Sequence, residues 1–466
     1  MNKQGQRKYL FEEIYESILQ RMERSEWTAG EKLPSIRELS LELNVHRLTV
    51  FKAYQMLKQQ GKVLVKDKSG YYVLGNSHST HADEHIQANK KRYTLSDIHE
   101  QSVQYQFSKA LIDPNLLPNH YLSDYVKKVF DLYPKVLSTY STVQGDIELR
   151  EVLADYFTKR YKTHLSHEDI LITSGSQQAI HLISQLFLSP RDTILIERPS
   201  YSAAIDIFKS QHAHMLAVDI HPDGYDLEQV EMLMKTYKPR LFYVNPTFHN
   251  PTGYTVPTAQ RKKLVELAEQ YHCLIVEDDA YHDIYFEKAP PPPLYTFDTA
   301  GVVLYVRSFC KYVSPGLRVA AVVFPPNLKE GLFTAKALAD NGSPLLNQKI
   351  FLHYFSSPRL QQHLEKLRIA LQIRKEIMED ELKDTNWSWV SPNGGLNLWI
   401  QLPMDLSTEP LLQRAIGQSV SFVPGLIFDP LQERFSSSLR LSYSYANEVE
   451  LRAGMRRLIE VVNTYG

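Results

Sequence analysis

A chain of 466 residues, 43% hydrophobic and 23% charged, has the composition of a globular protein and is too long for one ordinary core, so roughly three units are expected. No apolar run reaches transmembrane length, and the N-terminal Met-Asn-Lys-Gln-Gly-Gln-Arg-Lys lacks a secretory apolar segment, which argues against a membrane span or export. The net charge of −1 excludes a globally basic nucleic-acid binder, so any such contact needs a local basic region. Two cysteines, Cys273 and Cys310, supply neither a disulfide framework nor zinc-ligand spacing. A cytoplasmic setting is expected.

Leu10 to Met22 carries a helical stripe of Leu10, Phe11, Ile14, Ile18 and Leu19. A second helix is expected after Ser35, its N-cap, with Glu38 completing a capping box and Asn44 ending the turn. A third runs from about Arg47 to Gln60, with Val50, Tyr54 and Leu57 inward and Arg47, Thr49 and Lys52 outward. Val63-Leu-Val65 and Tyr71-Tyr-Val73 read as a hairpin. Two helices joined by a short turn can place the second in a major groove. Six basic residues (Arg47, Lys52, Lys58, Lys62, Lys66, Lys68) against one acid, Asp67, lie between Asn44 and Gly70, where phosphates would sit. A small protein-interaction module with a solvated basic face is the alternative.

The run Gly30-Glu-Lys-Leu-Pro-Ser-Ile-Arg-Glu-Leu, followed by Arg47-Leu-Thr-Val-Phe-Lys-Ala-Tyr-Gln-Met-Leu, resembles the winged helix-turn-helix of GntR-type transcription regulators. The resemblance implies that Arg37, Arg47 and Thr49, with Lys52 beside them, meet a double-stranded DNA operator and that the wing at Gly70 enters the minor groove. The sequence departs from the family pattern at His46, usually a capping serine, and at Leu48, commonly small or polar. The DNA-binding domain is assigned to residues 1–75.

Residues 76–105 read as a polar flexible linker. His78, His81 and His85 have metal-compatible spacing, but no cysteine or second ligand type accompanies them and no metal site is expected.

From residue 106 to 466, apolar strand-like runs alternate with helical segments: 170–173, 193–196, 241–244, 274–276, 302–306 and 319–324. This pattern implies a large α/β domain whose mostly parallel sheet is covered on both faces. Ligands of such sheets sit at the carboxyl ends of the strands. There the chain places Ser174-Gly-Ser176-Gln177-Gln178 ahead of a helix expected to open at Ala179, then Asn245 to Gly253, then Glu277-Asp278-Asp279-Ala280-Tyr281, then Ser308-Phe-Cys-Lys311. The last stretch, lying between two apolar runs, reads by itself either as a surface hairpin with incidental charges or as half of a cofactor site. Together the loops supply an anion pocket, a carboxylate, a phenol, an amide and a lysine, the set that pyridoxal phosphate demands. Lys311 would hold the aldehyde as a Schiff base. A carboxylate would face the ring nitrogen, Asn250 and Tyr281 the ring oxygen, and Tyr201 the ring face. Ser176, Gln177, Ser308 and Arg318 would surround the phosphate.

These loops, with Tyr140…Gln144-Gly145 and Pro315-Gly-Leu-Arg318, resemble the fold type I aminotransferase family in order over about 106–466. The resemblance implies that Asp278 rather than Asp279 meets the ring nitrogen, that Tyr140 reaches the neighbouring subunit's phosphate in a homodimer, and that Arg440 clamps an effector α-carboxylate. A winged helix-turn-helix ahead of such a domain resembles the MocR/GabR-type bacterial regulators. That implies a transcription regulator sensing an amino acid, an amine or the cofactor itself, with at most residual half-transamination. An active aminotransferase with an accessory domain is the alternative.

Overall fold

The computed structural model describes residues 10–24, 26–28, 30–66, 70–73, 95–403 and 406–465, which fall into two compact units divided after residue 93. Asp67, Lys68 and the linker residues 76–94, including His78, His81 and His85, lie outside the described residues.

Among the described residues, the smaller unit contains three helices, Leu10–Glu23, Ile36–Glu42 and Arg47–Gln59, and an antiparallel hairpin pairing Val63–Lys66 with Gly70–Val73. Ser35 accepts from the Glu38 amide while the Glu38 carboxylate accepts from the Ser35 amide, so both halves of the expected capping box are present. Asn44 takes φ +50 between the second and third helices. Val50, Tyr54 and Leu57 are fully buried and pack on Ile14, Ile18 and Leu39. His46 takes the capping place usually held by serine: its Nδ1 accepts from the Leu48 amide at 3.3 Å.

In the larger unit the first described element is a helix, Leu95–Glu100, anchored by the fully buried Ile98, and Tyr105–Gln106 pairs in parallel with Val420–Ser421. The polar composition that reads as linker therefore includes a folded segment at its C-terminal end. The main sheet has, among the described residues, eight strands in the order 170–173, 320–323, 303–308, 274–279, 241–244, 193–198, 214–221 and 224–225. Central pairings are parallel, and 320–323 runs antiparallel to both of its neighbours.

Successive residues of a strand point to opposite faces, and here both faces are dry. Ile194, Ile196, Leu241, Tyr243, Val276, Leu304 and Val306 pack with Ala179, Ile180 and Ile183 on one face. Leu195, Phe242, Val244, Ile275 and Val303 pack with Leu264 and Val265 on the other. Near-continuous apolar strands in the sequence have this cause. A four-stranded sheet, with Asn397–Gln401 beside Ser438–Ser442, carries Arg440.

Candidate functional site

The residues that end the strands converge. Ser176, Tyr201, Asn245, Asn250, Asp278, Ala280, Tyr281 and Lys311 line one pocket. The lysine and all four residues expected around the ring (Asp278, Asn250, Tyr281 and Tyr201) are among them, set there by local geometry that the sheet imposes.

Asp278 lies at the end of the 274–279 strand, on the same face as Tyr243 and Val276. The Tyr243 hydroxyl donates to its Oδ2 at 2.7 Å, and its Oδ1 has no partner among the described residues. Burial raises this carboxyl to about 7. Asp279 points to the opposite face, where the Tyr305 hydroxyl donates at 2.8 Å and Arg307, its cross-strand neighbour, stands 3.3 Å away. Strand alternation thus leaves only Asp278 free to face a ligand.

Lys311 follows the 303–308 strand. Its Nζ donates to the Ala110 carbonyl at 3.4 Å, and desolvation lowers its pKa, which favours the neutral, nucleophilic amine. The surface-hairpin reading of this stretch does not hold: 303–308 and 320–323 do form an antiparallel pair, with Ser308 opposite Ala320, but the pair is buried inside the sheet and Lys311 lines the pocket. Cys310 is also buried and packs by geometry alone, accepting from the Val319 amide at 3.2 Å.

The helix after the first strand starts at Ser176, not at Ala179. Gly175 caps it with φ +99, a conformation open to glycine, and this brings the Ser176 amide to the pocket three residues earlier than apolar periodicity suggests. The Arg318 guanidinium lies across Gly175 and donates to the Ser174 carbonyl at 3.0 Å. Gln177 donates to the Tyr201 hydroxyl at 3.3 Å. Ser308 is buried at the end of its strand. Gln177, Ser308 and Arg318 therefore surround the helix start without lining the pocket itself.

Arg440 is 1% exposed. It donates to Asn250 Oδ1 at 3.1 Å and to the Ser108 carbonyl, its Nε has no acceptor, and no carboxylate pairs with it among the described residues. Burial lowers its pKa to about 10. A buried guanidinium without a counter-ion is costly, and its planar fork suits a carboxylate. Arg307, equally buried, shows the contrast, since Asp279 and Asp283 both pair with it.

Tyr140 is 88% exposed and stands outside the pocket of its own chain. Asn245 is the residue that sequence reasoning missed. Its Nδ2 donates to the Asp278 carbonyl and its Oδ1 accepts from the Asn250 amide at 2.7 Å, so it ties the two loops together. Its signal was available, because it is the first polar residue after the apolar 241–244 strand.

Pyridoxal phosphate fits this set. The unpartnered Asp278 Oδ1 suits a protonated ring nitrogen, Tyr281 and Asn250 are present as hydrogen-bonding groups, Lys311 offers an amine, and a glycine-capped helix start with an arginine beside it suits a dianion.

On the smaller unit Arg37, Arg47 and Lys52 are exposed and Thr49 is half-buried. Lys52 leans over the Phe11 ring at 5.8 Å. Arg47, Thr49 and Lys52 lie on the third helix and Arg37 on the second, as a helix-turn-helix reader requires.

Residues 115–458 match the family Aminotransferase class I and II, and residues 10–73 match Bacterial regulatory proteins, gntR family. The chain belongs to the aminotransferase class I and II family and carries a gntR-family segment ahead of it. It is 32% identical over 471 residues to the uncharacterized HTH-type transcriptional regulator YisV of Bacillus subtilis (strain 168), covering 97% of this chain and 95% of the relative. It is 30% identical over 465 residues to YdfD of the same organism, which carries the same description, covering 96% and 95%. Among solved structures, it resembles LysN, the alpha-aminoadipate aminotransferase of Thermus thermophilus complexed with N-(5'-phosphopyridoxyl)-L-leucine. That likeness has TM-score 0.75 and 31% identity, over 81% of this chain and 97% of the other. The protein thus joins a gntR-family segment to a pyridoxal-phosphate-dependent aminotransferase fold, and relatives that align over nearly its whole length are described as HTH-type transcriptional regulators.

Proposed function

We propose that the protein is a cytoplasmic, homodimeric transcription regulator that senses an amino acid or amine, or pyridoxal phosphate itself, through the cofactor held by Lys311. The supporting observation is the coexistence, in one chain, of a segment matching the gntR family and a pocket with an unpartnered Asp278 oxygen, beside whose Asn250 stands an uncompensated Arg440. Relatives aligned over nearly the whole chain are described as transcriptional regulators.

Pyridoxal phosphate supplies an aldehyde that reacts with amines and a ring that withdraws electrons. The chain's own residues do the rest. Asp278 would keep a proton at the ring nitrogen, Asn250 and Tyr281 would hold the ring oxygen, and Tyr201 would cover the ring face. Ser176, with Gln177, Ser308 and Arg318 around the helix start, would hold the phosphate, and Tyr140 of the partner subunit would reach the same group. A ligand amine would compete with Lys311, and a ligand carboxylate would pair with Arg440, which donates to the pocket residue Asn250, so a molecule with both groups would engage both residues. Arg37, Arg47, Thr49 and Lys52 meet the operator, which for a dimer contains two half-sites.

Wild-type protein is expected to retain the visible-edge absorbance of lysine-bound cofactor through dialysis, and Lys311→Ala to lose it while still binding the same DNA. A protein that bound no duplex upstream of its own gene or its neighbours would count against the regulator. The presence of Lys311, Asp278 and Tyr281 in one pocket, with Arg440 bonded to its Asn250, supports a second reading, an active aminotransferase with an accessory domain. Steady turnover of an amino acid with a 2-oxo acid at roughly 1–1,000 per second would establish that reading instead.

A further inference from the structure

The outward face of the Arg47–Gln59 helix is not uniformly polar. Leu48 is 56% exposed and Phe51, three residues on and on the same face, is 41% exposed, although Val50, Ala53, Tyr54 and Leu57 of the same helix are fully buried. These two side chains are therefore not surplus core; the helix already has a complete inner stripe. Leu48 is also firmly mounted. It is the second residue of the helix, and its amide is held by the His46 imidazole. Near it on the helix stand exposed Arg47, half-buried Thr49 and exposed Lys52.

An apolar side chain amid cations calls for a partner that is a polyanion yet offers apolar atoms at the depth a recognition helix reaches. Duplex DNA meets both conditions. The thymine 5-methyl group is the apolar feature of the major-groove edge, and the first residues of a recognition helix are those that reach base edges. Leucine has no hydrogen-bonding group with which to read any other base or a phosphate.

We propose that Leu48 is a specificity-determining residue that contacts the 5-methyl group of a thymine in each operator half-site. Phe51 backs it on the same face. Arg47 and Lys52 meet the surrounding polar and phosphate groups and set affinity rather than this preference. The inference rests on the DNA-binding reading above.

The full-length protein is used to enrich duplexes from a random-sequence library, and each thymine of the enriched duplex is then replaced in turn by deoxyuridine, which removes only the methyl group. One thymine per half-site is expected to stand out, its replacement weakening binding roughly fourfold, the transfer value of one such carbon. Leu48→Ala should bind the thymine and deoxyuridine duplexes alike while keeping the wild-type salt dependence. Leu48→Val should show an intermediate ratio, so the assignment does not depend on the alanine variant alone. Equal wild-type affinity for every deoxyuridine duplex overturns the proposal, as does an unchanged thymine preference in both variants. Either result would point to a protein partner for Leu48 and Phe51. A protein that enriches no sequence at all overturns the DNA-binding reading instead.

Discussion

Tyr243 donates a 2.7 Å hydrogen bond to one oxygen of Asp278, and the other oxygen of the same buried carboxyl has no partner among the described residues. The two residues stand on adjacent parallel strands and on one face of the sheet. The tyrosine fixes the orientation of the carboxyl and leaves the free oxygen for a ligand. This half-satisfied state lowers stability in the absence of cofactor, a cost found at sites that are built for binding.

Asp278 carries a pH signature. Its pKa rises from an ordinary 3.8 to about 7 on folding without cofactor, because burial penalises the charge. The folded form thus holds a proton that the unfolded chain has released between those values, so this residue's contribution becomes more destabilising as pH rises from roughly 4 to 7 and is constant above. Asp278→Asn should therefore raise the thermal stability of cofactor-free protein at pH 8, by about 1–3 kcal/mol, and change it little at pH 4. The same variant should bind pyridoxal phosphate far more weakly. Thermal melts at the two pH values, with and without cofactor, check both halves.

Gly175→Ala should abolish the phosphate cradle. Its φ of +99 disfavours any side chain, and a Cβ there would collide with the Arg318 guanidinium. Cofactor affinity, read by absorbance titration, is expected to fall at least tenfold. Pyridoxal without phosphate should bind the variant and the wild type with similar affinity.

Arg440→Lys keeps the charge and loses the planar fork. Cofactor retention should survive, and the spectral response to amino acids should require roughly 10–100-fold more ligand, the range for a charge-assisted hydrogen bond. Simple amines, which lack a carboxylate, should titrate the variant and the wild type alike.

Ser35→Ala removes one half of the capping box on the second helix. The expected cost is about 1 kcal/mol, seen as faster hydrogen exchange at the Glu38 amide, with the spectrum of the bound cofactor unchanged.

Much of this protein is determined by local sequence. The capping box at Ser35 and Glu38, the turn at Asn44 and the two-residue alternation within buried strands depend on chemistry that near neighbours supply, and each is found where the residues place it. The lysine, aspartate, tyrosine and asparagine of the pocket were legible for a similar reason, since polar residues directly after apolar strands mark the ligand edge of an open sheet. Tertiary structure decided the rest. Ser176 starts its helix because Gly175 must turn beneath Arg318, which belongs to a distant part of the chain. Asn245 matters because strand pairing brings the Asp278 carbonyl to its Nδ2, while its Oδ1 holds the Asn250 amide of its own loop. Leu48 is exposed because Val50, Tyr54 and Leu57 already fill the small core. For Ser176 and Asn245 the deciding contacts, with Arg318 and with Asp278, join segments distant in sequence, which local periodicity does not encode.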